Sequence, residues 1–146
     1  MVRGIKTTVM KERIARIIDY IYESGWTVNL NSRRNEANHF DECININYQT
    51  RGKKLYWTLL HECGHMIIRS NPATFMCRYP GITAALVSEK AARYTNYRVD
   101  TVREEFNAWD EGEKLAEQLG LELDKKAYRK FGNTCLLSYI KWCTKK

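Results

Sequence analysis

Little in this sequence breaks regular structure. Only two prolines and eight glycines occur in 146 residues, which excludes a low-complexity or linker-dominated chain. No run of 18 or more apolar residues is present, so no membrane span is expected. The segment "MVRGIKTTVMKERIARIIDYIYESG" has neither a continuous apolar stretch nor a small-residue cleavage pattern. It is expected to form an amphipathic helix and not a signal peptide. Five cysteines, Cys43, Cys63, Cys77, Cys135 and Cys143, are scattered without a C-x-x-C pair. That excludes a secreted disulfide framework or a zinc ribbon and suits free thiols in a reducing cytoplasm. Histidine is scarce, with three in the chain.

What is present suffices for one ordinary domain. Hydrophobic residues make up 44% and aromatic residues 12%, enough for a real core. The formal net charge is +7, unevenly spread. Residues 101–123 hold seven acidic and two basic side chains, whereas residues 124–146 hold seven basic and one acidic. The basic, aromatic-rich C-terminal segment fits either a nucleic-acid contact or a helix docked on the core with lysines at its edge.

Periodicity predicts a helix over 5–24, with Ile5, Val9, Ile14, Ile17, Ile18 and Ile21 on one face and Gly25 as its stop. Strand-like alternation follows over 26–32, then a polar loop over 33–42 and a half-buried strand, "CININY", over 43–48. A helix is expected from about 53 to 69. A loop over 72–82 carries both prolines, a weakly periodic helix covers 83–97, and a strong helix spans about 100–119. Asp124 caps a short helix over 125–131, Gly132-Asn133 breaks it, and Thr134 caps a last helix to about Trp142. The expected fold is a mostly helical α+β single domain over 1–146. It has a small antiparallel sheet before the helix expected over about 53–69, and 121–146 form a helical extension packed on it.

Chemistry concentrates at "YWTLLHECGHMII", residues 56–68. His61 and His65 stand one helical turn apart, so both imidazoles can reach one zinc ion. Glu62 lies beside them and suits a general base toward water activated by that zinc. A chance match to H-e-x-x-h spacing, given this composition, occurs at about 0.5%. The alternative is a pair of core histidines without metal, which would bury two imidazoles and a carboxylate at a cost. A catalytic zinc needs a third protein ligand. Along 101–120 an apolar stripe runs Val102, Glu105, Ala108/Trp109, Gly112, Leu115/Ala116 and Leu119. Glu105 is its only charge, which makes it the third-ligand candidate with Glu104 behind it.

His61-Glu62-x-x-His65 followed by a later glutamate resembles the gluzincin order of zincin metallopeptidases. More closely, the layout is similar to small ImmA/IrrE-type and related phage-encoded proteins, in which a helix and short sheet precede the motif helix. Their second signature begins E-x-N-x-[aromatic], and Glu105-Phe106-Asn107-Ala108-Trp109 matches it. The resemblance covers roughly residues 5–120 and implies a zincin-like fold that binds Zn2+. It also implies hydrolysis of a peptide bond in a protein partner, with Glu62 as base. The 40 residues from His65 to Glu105 exceed the family's usual gap, and the excess falls around 72–97. The competing class is a weakly active or inactive zincin-fold module that binds a protein or nucleic-acid partner.

Such an enzyme also needs an oxyanion donor, for which His39, Tyr94, Tyr97 and Tyr128 are candidates. In zincins the strand before the motif helix often lies at the sheet edge and holds substrate. "CININY" takes that place here, so Asn45 and Asn47 are either substrate contacts or solvent-facing residues.

Overall fold

A computed structural model describes residues 2–145, with side chains from residue 8 onward. Helix α1 (Val2–Glu23) is followed by strands β1 (Thr27–Ser32), β2 (Glu36–Asn38) and β3 (Cys43–Asn47). Helices α2 (Gly52–Ile68), α3 (Pro72–Arg78) and α4 (Pro80–Val87) come next, then a 3-10 turn (Glu89–Arg93), α5 (Thr95–Gln118) and α6 (Lys125–Cys143). The fold is a mostly helical α+β domain with a three-stranded sheet. Among the described residues no helix is long and apolar enough to cross a membrane.

Helix α1 buries Ile17 and Ile21 against the core, with Ile14 and Ile18 packed beside them. Ile5 lies outside the described side chains. The helix ends as its sequence dictates. Gly25 takes a positive φ of 85°, and the Trp26 amide returns to the Ile21 carbonyl at 3.1 Å.

The sheet departs from expectation in three ways. It is mixed, since β1 pairs with β3 in parallel and β2 pairs with β3 antiparallel. The polar stretch 33–42 contains β2, where a continuous loop was expected. Its polar side chains are hydrogen-bonded to backbone. The Asn38 side chain accepts from the Phe40 and Asp41 amides at 3.0 and 2.9 Å. Asn35 accepts from the Asn47 amide at 2.7 Å. Side-chain bonds of this kind set turns that a hydropathy pattern does not register. Finally, the strand order is β1-β3-β2, so β3 is central and β2 is an edge.

Prolines begin helices here. Pro72 and Pro80 occupy the first turns of α3 and α4, and Asn71 caps α3 by accepting from the Thr74 amide at 3.1 Å. The expected loop over 72–82 and helix over 83–97 are therefore replaced by two short helices and a 3-10 turn, and α5 begins at Thr95. Proline needs no amide partner in a first turn, so it is a start signal there and not a breaker. This α3–α4 arm is pinned to α5. The Gly81 amide donates to Asp100 at 2.7 Å, and Asn107 donates to the Tyr79 hydroxyl at 2.7 Å.

Helix α6 runs unbroken through Gly132-Asn133. A Cβ on Gly132 would meet the Trp109 ring at 2.9 Å, so this glycine serves close packing and not chain reversal. Thr134 donates back to the Lys130 carbonyl and does not cap a new helix. Asp124 does cap, accepting from the Ala127 amide at 3.1 Å. The charge asymmetry of the sequence becomes a pairing of helices. Arg129 of α6 forms a two-pronged bond to Glu113 of α5 at 2.8 Å, and Lys125 pairs with Glu117.

Helix α2 is buried along nearly its whole length from Tyr56 to Ile68. It crosses α5 at very short range. A Cβ on Gly64 would lie 2.0 Å from the Ala108 carbonyl oxygen, and one on Gly112 would lie 2.6 Å from the Leu60 carbonyl oxygen. Both obstructions include backbone, which cannot swing aside. Gly64→Ala is expected to lower the unfolding free energy by about 3 kcal/mol and to loosen the site described next. Chemical denaturation of the variant beside wild type measures the loss.

Candidate metal centre

The α2–α5 crossing sets the histidines of one helix against the glutamates of the other. His61 and His65, at i and i+4, turn their rings to the same side, with centroids 4.8 Å apart. The Glu105 carboxylate spans both. Its Oε2 lies 2.9 Å from His61 Nε2, and its Oε1 lies 3.0 Å from His65 Nε2. All three residues are buried, and their ligand atoms fall within 4.8 Å of one another. Tetrahedral zinc with bonds near 2.1 Å spaces its ligand atoms about 3.3 Å apart. The two His–Glu105 distances lie within a few tenths of an ångström of that spacing.

A second ring of contacts holds these groups. Glu104 Oε2 lies 3.0 Å from His65 Nδ1, leaving Nε2 to face Glu105. Arg69, one turn beyond His65, grips the same carboxylate with two bonds of 2.7 and 3.2 Å. The Arg69 guanidinium also rests 4.6 Å from the Phe75 ring centre. Trp109 stacks flat on the His61 ring at 4.2 Å, and Glu62 Oε1 lies 3.2 Å from His61 Nδ1. Such outer partners fix the orientation and raise the basicity of metal-binding imidazoles.

Glu105 is not the only charge that α5 buries. Glu104, expected off the stripe, is 4% exposed against 8% for Glu105. Adjacent helix positions differ by about 100°, and α5 is covered broadly enough to enclose both. The available signal was Arg69, a cation one turn after His65 that needed a buried partner.

The electrostatics favour a cation. Among the described residues, Arg69 is the one arginine or lysine paired with Glu62, Glu104 or Glu105, so the cluster lacks two positive charges. Two imidazolium rings or one divalent ion would supply them. Without metal, burial alone would lower the His65 pKa, but hydrogen bonds to Glu104 and Glu105 override it and raise the value to about 10. His61 is raised in the same way, its burial overcome by Glu62 and Glu105. Burial would raise Glu104, yet its bonds from His65 and Arg69 bring it down to about 2. Two imidazoles and one carboxylate form a donor set typical of catalytic zinc sites with a free fourth position. The residues present fit that ion.

A cavity of about 220 Å³ opens on the cluster, lined by Glu62, His65, Glu105 and residues of β2, α5 and α6. Of the four proposed oxyanion donors, His39 and Tyr97 line it. Burial and the neighbouring Arg69 lower the His39 pKa to about 4, so its ring is neutral at pH 7. Tyr94 is exposed on the surface, and no part of it lines this cavity. Tyr128 is buried and donates to the Trp109 carbonyl at 2.7 Å, so its hydroxyl is committed elsewhere. The residue missed is Tyr139 of α6. It lines the cavity together with Glu105, and burial and that carboxylate raise its pKa. Its place in an aromatic helix face made it look like packing alone.

Asn45 and Asn47 do not line this cavity and are bonded within the sheet region. Asn45 donates to Glu36 at 3.1 Å, and Asn47 donates to the Arg33 carbonyl at 2.8 Å. Both tie β3 to the β2 segment. The edge beside the cavity is β2 itself, whose Glu36 and Ala37 line it together with the preceding Asn35. Comparison of the chain with family models, curated proteins and solved structures finds no match.

The second ring gives two expected outcomes. Glu104→Gln should weaken zinc binding about 10- to 100-fold, as read by competition with a chromophoric chelator. In chelator, the raised His65 pKa stabilises the fold fully below its unfolded value near 6.5. That contribution is lost as pH rises toward 10, so the thermal midpoint should fall over this range. With zinc, ions displace those protons, and the stabilisation due to metal should grow with pH.

Proposed function

We propose that this protein is a zinc-dependent metallopeptidase of the small gluzincin kind, hydrolysing a peptide bond in a specific protein partner. The observation that carries this is the placement of Glu62. Its carboxylate lines the cavity wall beside the His61–His65–Glu105 cluster, and a purely structural metal site has no use for such a base. His61, His65 and Glu105 would hold the ion, with Glu104, Arg69 and Trp109 fixing their orientation. A zinc ion there supplies Lewis acidity toward water and the substrate carbonyl.

The chain's own groups cover the remaining needs. Glu62 takes the proton of the attacking water and returns it to the leaving amine. The Tyr139 hydroxyl donates to the oxygen that becomes negative, with neutral His39 lining the same cavity. The outer edge of β2 offers main-chain groups to an extended peptide, the role first expected of β3. Five free cysteines suit a reducing compartment, so the proposed location is the cytoplasm.

Glu62→Gln should keep stoichiometric zinc and lose cleavage by about 10²- to 10⁴-fold. Cleavage is read by new protein N-termini in cells expressing wild type against the variant. Unchanged cleavage with zinc in place contradicts the assignment and favours a binding module. Tyr139→Phe should lower kcat about 10²-fold with little change in KM, measured on the substrate so found.

A further inference from the structure

A second depression adjoins the proposed catalytic cavity. It measures about 820 Å³ and shares His39 and Arg69 with that cavity. Its floor is Met66 and Ile67 of α2, Trp26 closes one end, and the α3–α4 arm supplies Phe75, Met76, Leu86 and Val87. The volume lies within the range of small-molecule and side-chain sites. The arm's contribution is unusual for a surface. Met76, Leu86 and Val87 are 54, 70 and 89% exposed, so a contiguous apolar wall faces solvent beside a polar centre. Apolar patches of this kind mark places where another molecule sits.

The groove's charges narrow the occupant. Arg69 is held by Glu104 and stacked on Phe75, so it offers no free cation. Glu42 is the one carboxylate among the described lining residues, and it would repel an acidic side chain. The arm cannot swing clear without breaking the Gly81–Asp100 and Asn107–Tyr79 bonds. The wall is therefore preformed.

We infer that this groove is the specificity subsite of the same centre. It receives a large apolar side chain, aromatic or long aliphatic, that flanks the scissile bond of the peptide. A peptide lying along β2 crosses the cavity and meets the shared His39–Arg69 border. From there one side chain drops between α2 and the arm. The residues that choose it belong to the segment between the two metal-binding helices, which accounts for that segment's extra length. This inference rests on the peptidase proposal for the identity of the occupant.

The test uses zinc-loaded Glu62→Gln protein, which binds without turnover, and short fluorescent polyalanine peptides carrying one central phenylalanine, leucine or aspartate. The phenylalanine and leucine peptides should bind about tenfold or more tightly than the aspartate peptide. Leu86→Asp and, separately, Val87→Asp should abolish that preference with zinc content unchanged. Both side chains are exposed, so neither change should cost the fold; Met76→Lys gives an independent third probe. Equal binding of all peptides, or a preference that survives all three variants, overturns the inference. Wild type then separates the two claims. Selective binding without cleavage sinks the peptidase proposal and leaves the groove. Cleavage indifferent to the flanking side chain sinks the groove and leaves the peptidase.

Discussion

The Gly64 Cα lies so near the Ala108 carbonyl that no side chain fits between α2 and α5 at that point. Gly112 repeats the arrangement a little further along, against the Leu60 carbonyl. His61 and His65 flank Gly64 in sequence, and Glu104 and Glu105 precede Ala108 by one turn. The closeness of the backbones thus fixes how near two imidazoles come to two carboxylates. Had the helices stood a normal 8–10 Å apart, side chains of these lengths would leave room for water and lose their mutual grip. Packing and chemistry have the same cause here.

Burying three carboxylates is costly unless opposite charge accompanies them. Arg69 meets part of this need through its two bonds to Glu104. The rest falls on the histidines or on an ion. In the metal-free fold the glutamates raise both histidine pKa values, and a divalent cation would replace two protons without altering the net charge of the cluster. Trp109, flat against His61, and Arg69, stacked on Phe75, then carry the order of the cluster outward into α6 and the α3–α4 arm.

Much of this was legible in the sequence, for physical reasons. Two histidines at i and i+4 in an apolar helix share a face by geometry alone, and Glu105 stood out as a charge on an apolar stripe. What the sequence concealed was of another kind. Glu104 was ranked behind Glu105 and placed off the stripe because a stripe assumes one buried face, and α5 is buried over a wider arc. Strand β2 was missed because it is three residues long, sits among turns set by asparagine side chains, and carries only Ala37 toward the core. The arm was read as loop over 72–82 because proline was taken as a breaker where it begins helices. Tyr139 needed α6 to be continuous, and the reason Gly132 does not break that helix is the Trp109 ring on another element. Contacts between distant segments decided each of these, and local pattern does not contain them.

The central claim is that one divalent ion belongs between His61, His65 and Glu105. X-ray absorption at the zinc edge on the purified full chain tests it directly, with total zinc measured on the same sample. The account predicts one zinc per chain, with two nitrogen ligands and oxygen completing the shell at about 2.0–2.2 Å. It also predicts loss of that signal in His65→Ala. Sulfur in the shell, or a zinc content indifferent to His65→Ala, would contradict it.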